Sequence, residues 1–188
     1  GVRARNKEQS FALDLLMDPD VQIVSLIGKA GSGKTLLAIA AGLEQVVSNQ
    51  TVMSTAFDSK GFSAGLYKRL VVSRPVQPMG KDIGFLPGTM EDKMKPWLAP
   101  IEDNLKFLTG DDSSTLEMYM EKGIIEMEAL TYIRGRSIAN AFIIIDEAQN
   151  LSRHEVKTIL TRAGEGTKIV LTGDVEQIDN IYVNETST

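Results

Sequence analysis

The chain has 188 residues, 43% of them hydrophobic and 24% charged, which suits one well-buried α/β domain and is too short for two large ones. It has no cysteine, which excludes disulfides and is compatible with the reducing cytoplasm expected as its location. A net charge of −5 argues against a protein that coats nucleic acid by bulk electrostatics, and no apolar run approaches the roughly 18 residues of a membrane span. The opening Gly1-Val2-Arg3-Ala4-Arg5 lacks a signal-peptide core and starts without Met, so an excised domain is expected.

Asn6 and Gln9 have capping-box spacing and open a helix with Phe11, Leu15 and Leu16 on one face. Asp18-Pro19-Asp20 ends it. A strand over Val21–Ile27 then runs into Gly28-Lys29-Ala30-Gly31-Ser32-Gly33-Lys34-Thr35, which fits the phosphate-loop pattern G-x-x-x-x-G-K-[ST]. The helical run Leu36–Ala41 follows, so the motif has the strand, loop and helix it requires. Its glycines let backbone N–H groups turn inward around a phosphate, and the helix N-terminus adds partial positive charge. Lys34 can reach the β- and γ-phosphates, and the Thr35 hydroxyl can hold Mg²⁺. A ligand-free glycine turn is the bland alternative, and the complete context weighs heavily against it.

That helix is expected to end near Val47, with Ser48–Gly65 as a polar surface excursion. Tyr67–Ser73 reads as a strand stopped by Arg74-Pro75, followed by a loop through Gly84–Gly88. Glu91–Leu108 reads as a helix with Pro96 in its first turn or at a kink, Ser113–Lys122 as a short helix, and Ile124–Met127 as a strand. Phe142–Ile145 is wholly apolar, as expected of a central strand buried on both faces. Ser152 and Glu155 form a second capping box, Gly164 is placed to close the helix, and Lys168–Thr172 is the last strand. The alternation predicts one α/β domain over residues 1–188, a parallel sheet with helices on both faces.

Ligands of such sheets sit beyond the carboxyl ends of the strands, where the polar clusters fall. Asp146 ends the apolar strand and can orient Mg²⁺, while Glu147 can polarise the attacking water. Together they favour hydrolysis over phosphate transfer to a small substrate; a helix-capping acidic pair is the alternative. Gln177, in Gly173-Asp174-Val175-Glu176-Gln177, can donate to the γ-phosphate or belong to a plain loop. Gln9 can pair with adenine, and the absence of N-K-x-D favours ATP over GTP. The lone His154 sits inside the capped helix and reads as a surface or packing residue rather than a catalyst. Lys60, Lys68, Arg69, Arg74 and Lys81 lie in an acid-free stretch, for which a nucleic-acid contact and a solvated face are equally open.

The phosphate loop, Asp146-Glu147-Ala148-Gln149 and Gly173-Asp174-x-x-Gln177 resemble motifs of superfamily 1 helicase motor domains. With Ser73-Arg74-Pro75, Gly80–Gly88, Ile133-Arg134-Gly135-Arg136 and Gln177-Ile178-Asp179, the chain resembles the PhoH family of ATPases over nearly its whole length. The opening Arg5-Asn6-x-x-Gln9 with Phe11–Asp14 is most similar to the branch whose ATPase domain follows a PIN ribonuclease domain. This resemblance implies a three-layer, RecA-like P-loop NTPase using ATP and Mg²⁺. It further implies single-stranded RNA as partner, RNA unwinding as the coupled work, and a PIN nuclease domain upstream in the full-length protein. Against the family pattern, Ser48–Gly65 is long, Ile181 stands where proline follows the asparagine, and a final strand and arginine are missing, so a C-terminal clip is expected. Helicase motors borrow an arginine from a second domain, worth about 10³–10⁵ in rate. One domain alone would borrow it from another copy, which predicts a ring-like homo-oligomer such as a hexamer. Of Arg74, Arg134, Arg136 and Arg162, the pair flanking Gly135 is favoured, with surface ion pairing equally open. A nucleotide switch with weak hydrolysis, and a small-molecule kinase, are the competing readings.

Overall fold

The wholly apolar strand expected near residue 142 forms the middle of a five-stranded sheet and is buried at every position, Ala141–Ile145. The structure is a computed structural model describing residues 7–29, 33–54, 67–75, 90–130 and 138–174, with backbone only at 47–54 and 90–95. In chain order its elements are α1 (Lys7–Met17), β1 (Ile23–Gly28), α2 (Lys34–Ser54), β2 (Arg69–Arg74), α3 (Met90–Leu108), α4 (Ser113–Glu121), β3 (Ile125–Ala129), β4 (Ala141–Ile145), a 3-10 turn (Ala148–Asn150), α5 (Arg153–Arg162) and β5 (Lys168–Asp174).

All strand pairs are parallel, in the order β1-β5-β4-β2-β3. From β1 to β3 the chain moves outward across the sheet, and from β4 to β5 it moves back. Right-handed crossovers therefore send α5 to the face opposite α2, α3 and α4. The core divides accordingly. Leu16, Ile39, Val46, Leu70, Val72, Trp97, Ile101, Leu105, Phe142, Ile144 and Val170 share one cluster. Val71, Ala141, Ile143, Ile145, Ile159 and Ile169 share the other. Successive residues of β2 and β4 alternate between them, as a strand covered on both faces must. The result is the three-layer, RecA-like arrangement, with β5 standing between the phosphate-loop strand β1 and the Asp146 strand β4.

Buried side chains of α2 and β5 hold the carbonyls at and just after the end of α1. Gln45 Nε2 donates to Leu16 O at 3.1 Å, and Lys168 Nζ donates to Leu15 O at 2.5 Å and Asp18 O at 2.8 Å. Helix ends leave such oxygens without intrahelical partners, so these contacts replace water that the core excludes.

Two sequence expectations need correction. Helix α2 runs to Ser54 rather than ending near Val47. Polarity at Ser48-Asn49-Gln50-Thr51 signals no break, because neither glycine nor proline stops the helix there. Of the two places open to Pro96, the structure takes the helix interior rather than the first turn, and Pro100 lies inside α3 as well. Gly164 directly follows the cap residue Ala163, the expected place after α5, but its φ is not positive, so it closes the helix without a left-handed turn. A glycine is needed because a Cβ at 164 would lie 2.8 Å from Ile138 O, whose chain packs against this turn. The second capping box is present, with Glu155 N donating to Ser152 Oγ at 3.1 Å and Ser152 N to Glu155 Oε1 at 3.3 Å. Asn6, the cap expected for α1, and the 55–65 part of the expected excursion lie outside the described residues.

Candidate nucleotide site

β1 ends at Gly28 beside Asp174, the last residue of β5, and α2 begins six residues later at Lys34. Gly33 makes the turn into the helix with φ 74°, a conformation that costs an L side chain roughly 1–2 kcal/mol. Its carbonyl accepts from Leu37 N at 3.0 Å, closing the first turn. The N-terminus of α2 thus opens onto a cleft of about 260 Å³ lined by Gly33, Lys34, Thr35, Leu36, Asp146, Glu147, Gly173 and Asp174. His154 is exposed, the surface alternative of the two expected for it.

Three carboxylates enter this region, and each is held differently. Asp174 Oδ1 accepts from Lys34 Nζ at 3.0 Å, and the same ammonium donates to Lys29 O at 2.6 Å. Glu147 Oε2 accepts from Arg74 Nη2 at 2.8 Å and from Asn150 Nδ2 at 3.3 Å. Glu147 itself sits in the left-handed region, φ 53° and ψ 42°, strained backbone of the kind that gathers at functional sites. Asp146 is held by neutral donors alone. Its Oδ1 accepts from Thr35 Oγ1 at 3.0 Å, Thr172 Oγ1 at 3.0 Å and Glu147 N at 2.9 Å. Its Oδ2 accepts from Trp97 Nε1 at 3.0 Å.

The donor set can be tested against a divalent cation. No group of three or more His, Cys, Asp or Glu among the described residues could hold a metal by itself. Mg²⁺ asks for less, since it binds through one or two carboxylates and takes its other ligands from phosphates and water. Thr35 and Asp146, in contact beside a phosphate loop, fit that pattern.

Several predicted residues meet here: Gly28, Lys29, Gly33, Lys34, Thr35, Asp146 and Glu147 surround one strand-to-helix corner. Gln9 is half-buried in the first turn of α1 and does not line the cleft. Ala30, Gly31, Ser32, Gln177, Arg134 and Arg136 lie outside the described residues. Trp97, Thr172 and the Arg74–Glu147 pair were not foreseen. Thr172 was legible in principle, as a hydroxyl one step past the register pair Ile145–Leu171, facing Asp146. Trp97 carried no local signal, because α3 reaches Asp146 only through the tertiary fold. Lys60 and Lys81 lie outside the described residues, and the three described bases of the acid-free stretch do not form a single patch. Lys68 is exposed just before β2, Arg69 pairs with Glu126 at 3.3 Å, and Arg74 lies at the other end of the strand.

A strand, a glycine turn and a helix that present Lys34 and Thr35 to an aspartate at the end of a buried parallel strand define a P-loop nucleotide-binding domain. The family model described as "PhoH-like protein" matches residues 1–188, and the chain belongs to that family. It is 55% identical over 186 residues to "Protein PhoH2" of Bacillus subtilis (strain 168), covering 98% of this chain and 39% of that protein. "Protein PhoH2" of Mycolicibacterium smegmatis is 43% identical over 184 residues, 97% of this chain and 38% of its own. The "PhoH-like protein" of Bacillus subtilis (strain 168) is 39% identical over 153 residues, 81% and 42% of the respective chains. The chain therefore spans about two fifths of the length of these relatives. Among solved structures, the large terminase of a thermophilic bacteriophage matches with a TM-score of 0.46 at 11% identity, covering 96% of this chain and 44% of that one. The Sulfolobus solfataricus SWI2/SNF2 ATPase core in complex with dsDNA matches with a TM-score of 0.47 at 16% identity, covering 93% and 32%.

Proposed function

We propose that this domain binds ATP with Mg²⁺, hydrolyses it, and couples hydrolysis to single-stranded RNA. One observation carries the reading: the Thr35 hydroxyl and the Asp146 carboxylate meet at 3.0 Å where α2 opens onto the cleft, with Lys34 alongside. Lys34 would leave Asp174 for the β- and γ-phosphates, and Thr35 and Asp146 would hold the metal. The metal, when bound, supplies charge neutralisation at the phosphates. Glu147 turns from Arg74 to the attacking water and takes its proton as the bond to the γ-phosphorus forms and the bond to the ADP oxygen breaks. Gln177 donates to the γ-phosphate, and Gln9 pairs with adenine. RNA, an upstream PIN nuclease, and a ring in which Arg134 or Arg136 of one copy completes the site of the next all rest on the family resemblance. The cytoplasm is the proposed location, in keeping with a chain that has no cysteine. No helix among the described residues is long and apolar enough to cross a membrane.

Phosphate release separates the readings. Mg²⁺-dependent release should fall about 10²–10⁴-fold in Glu147→Gln and rise with single-stranded RNA more than with DNA. Equal turnover in Glu147→Gln would remove that residue from its role, and a γ-phosphate recovered on a small product would favour the kinase. RNA binding should weaken with salt. Mixing Arg136→Ala with Lys34→Ala subunits should restore activity if the arginine acts between copies. The Arg74–Glu147 ion pair favours one second reading, a switch in which the base stays engaged until a partner frees it.

A further inference from the structure

We infer that Trp97 is a positioning residue for the metal site: its indole N–H fixes the Asp146 carboxylate so that a divalent cation finds it oriented and with its charge intact. The inference rests on the assignment of Asp146 to Mg²⁺. Glu147 has a guanidinium partner and Asp174 an ammonium partner, so part of each charge is already compensated. Asp146 alone is held by two hydroxyls, a backbone amide and an indole, none of which carries charge. A cationic donor on Oδ2 would repel an incoming dication, whereas indole N–H is a donor only, unable to ligate the metal or to titrate.

The mounting is rigid. Trp97 is 7% exposed, and Ile101 and Leu105, four and eight residues further along α3, belong to the same buried cluster. The hydroxyls on Oδ1 can rotate towards a metal or a phosphate, but the indole cannot leave Oδ2 unless α3 moves. Partners that orient a metal's ligands in this way are typically worth about 10–100-fold in metal affinity.

Trp97 is also the only tryptophan in the chain, so its emission reports this contact. Trp97→Phe keeps a ring in the core and deletes the N–H. Mn²⁺ binding would be followed by the loss of free-ion paramagnetic resonance with a non-hydrolysable ATP analogue present, in wild type, Trp97→Phe and Asp146→Asn. Analogue binding without metal would be measured in parallel. The expected result is Mn²⁺ affinity about tenfold weaker in Trp97→Phe, metal-free binding within about twofold of wild type, and a larger metal defect in Asp146→Asn. Wild-type affinity in Trp97→Phe beside a defective Asp146→Asn would overturn this inference and leave the proposed function standing. Wild-type affinity in both would overturn the metal assignment and the inference with it. Should Trp97→Phe not fold, wild-type emission decides: it should shift as metal and analogue fill the site, and an unchanged spectrum would overturn the inference.

Discussion

Lys168 and Lys34 stand at opposite ends of the sheet, the first opening β5 and the second following β1 across the phosphate loop. Both ammonium groups donate to main-chain carbonyls, Lys168 to Leu15 O and Asp18 O, Lys34 to Lys29 O. Their surroundings differ. Lys168 is 1% exposed, and its two carbonyl partners stand in the last turn of α1 and just after it, where Leu16 is anchored in the core. The Lys34 side chain is 15% exposed, and its second partner, Asp174, is a rim carboxylate that a phosphate can replace. A cation bonded to fixed backbone in the core is part of the scaffold. The same chemical group at an open helix N-terminus, facing an exchangeable anion, is equipped to bind.

Removing Lys34 should therefore leave the fold and abolish the ligand. Charge-assisted contacts contribute about 1.5–3 kcal/mol each, so losing two of them in Lys34→Ala weakens ATP binding by roughly 100-fold or more. Equilibrium binding of a fluorescent ATP analogue measures this, alongside a melting curve that should stay near wild type. Unchanged affinity would erase the distinction between the two lysines. Lys168→Ala should do the reverse. Two part-buried carbonyls lose their donor and a cavity opens, costing about 3 kcal/mol in urea unfolding, while the folded fraction binds nucleotide as wild type does.

Between these two lies Arg74. Its pair with Glu147 is about one-third exposed on each side, so it is worth no more than about 1 kcal/mol. If the pair restrains the base, Arg74→Ala frees Glu147 and raises Mg²⁺-dependent turnover by up to about fivefold. Slower turnover would instead place Arg74 on the phosphates.

Local pattern carried much of this site into view from sequence. The phosphate loop, the apolar strand ending in Asp146-Glu147 and the Ser152 capping box are each written within ten residues, and the structure contains the strand and helix that flank the loop, the apolar strand and the capping box. What failed to show depended on pairs far apart in the chain. Trp97 meets Asp146 across 49 residues, and Arg74 meets Glu147 across 73. Adjacency in sequence also misled. Lys68 and Arg74 look like one basic patch, yet β2 lies between them and separates them by about 16–20 Å. Gly164 shows the same limit in a single residue: after a helix a glycine can serve a left-handed turn or a close approach, and only the position of Ile138 decides.

The pH dependence of stability sharpens the comparison most, because it reads Lys168 without removing it. Burial pushes the Lys168 ammonium down from 10.5 to about 8, with Asp18 opposing the shift. Below pH 8 both folded and unfolded chains carry the proton, and the fold bears the full cost of burying the charge. Between about 8 and 10.5 the folded chain releases the proton while the unfolded chain keeps it, so stability rises with pH, by at most about 1.4 kcal/mol per unit. The neutral amine still donates to Leu15 O and Asp18 O, so the scaffold contact survives the titration. Tyr67 gives the opposite slope at higher pH. Its phenol is pushed above 10.0, first by burial and then by Asp18, so beyond pH 10 only the unfolded chain ionises and stability falls. Unfolding free energy measured from pH 7 to 11 should climb from about 8 and turn down above 10. Lys168→Met should lose the climb and keep the descent, whereas a climb that persists in Lys168→Met would assign it to another group.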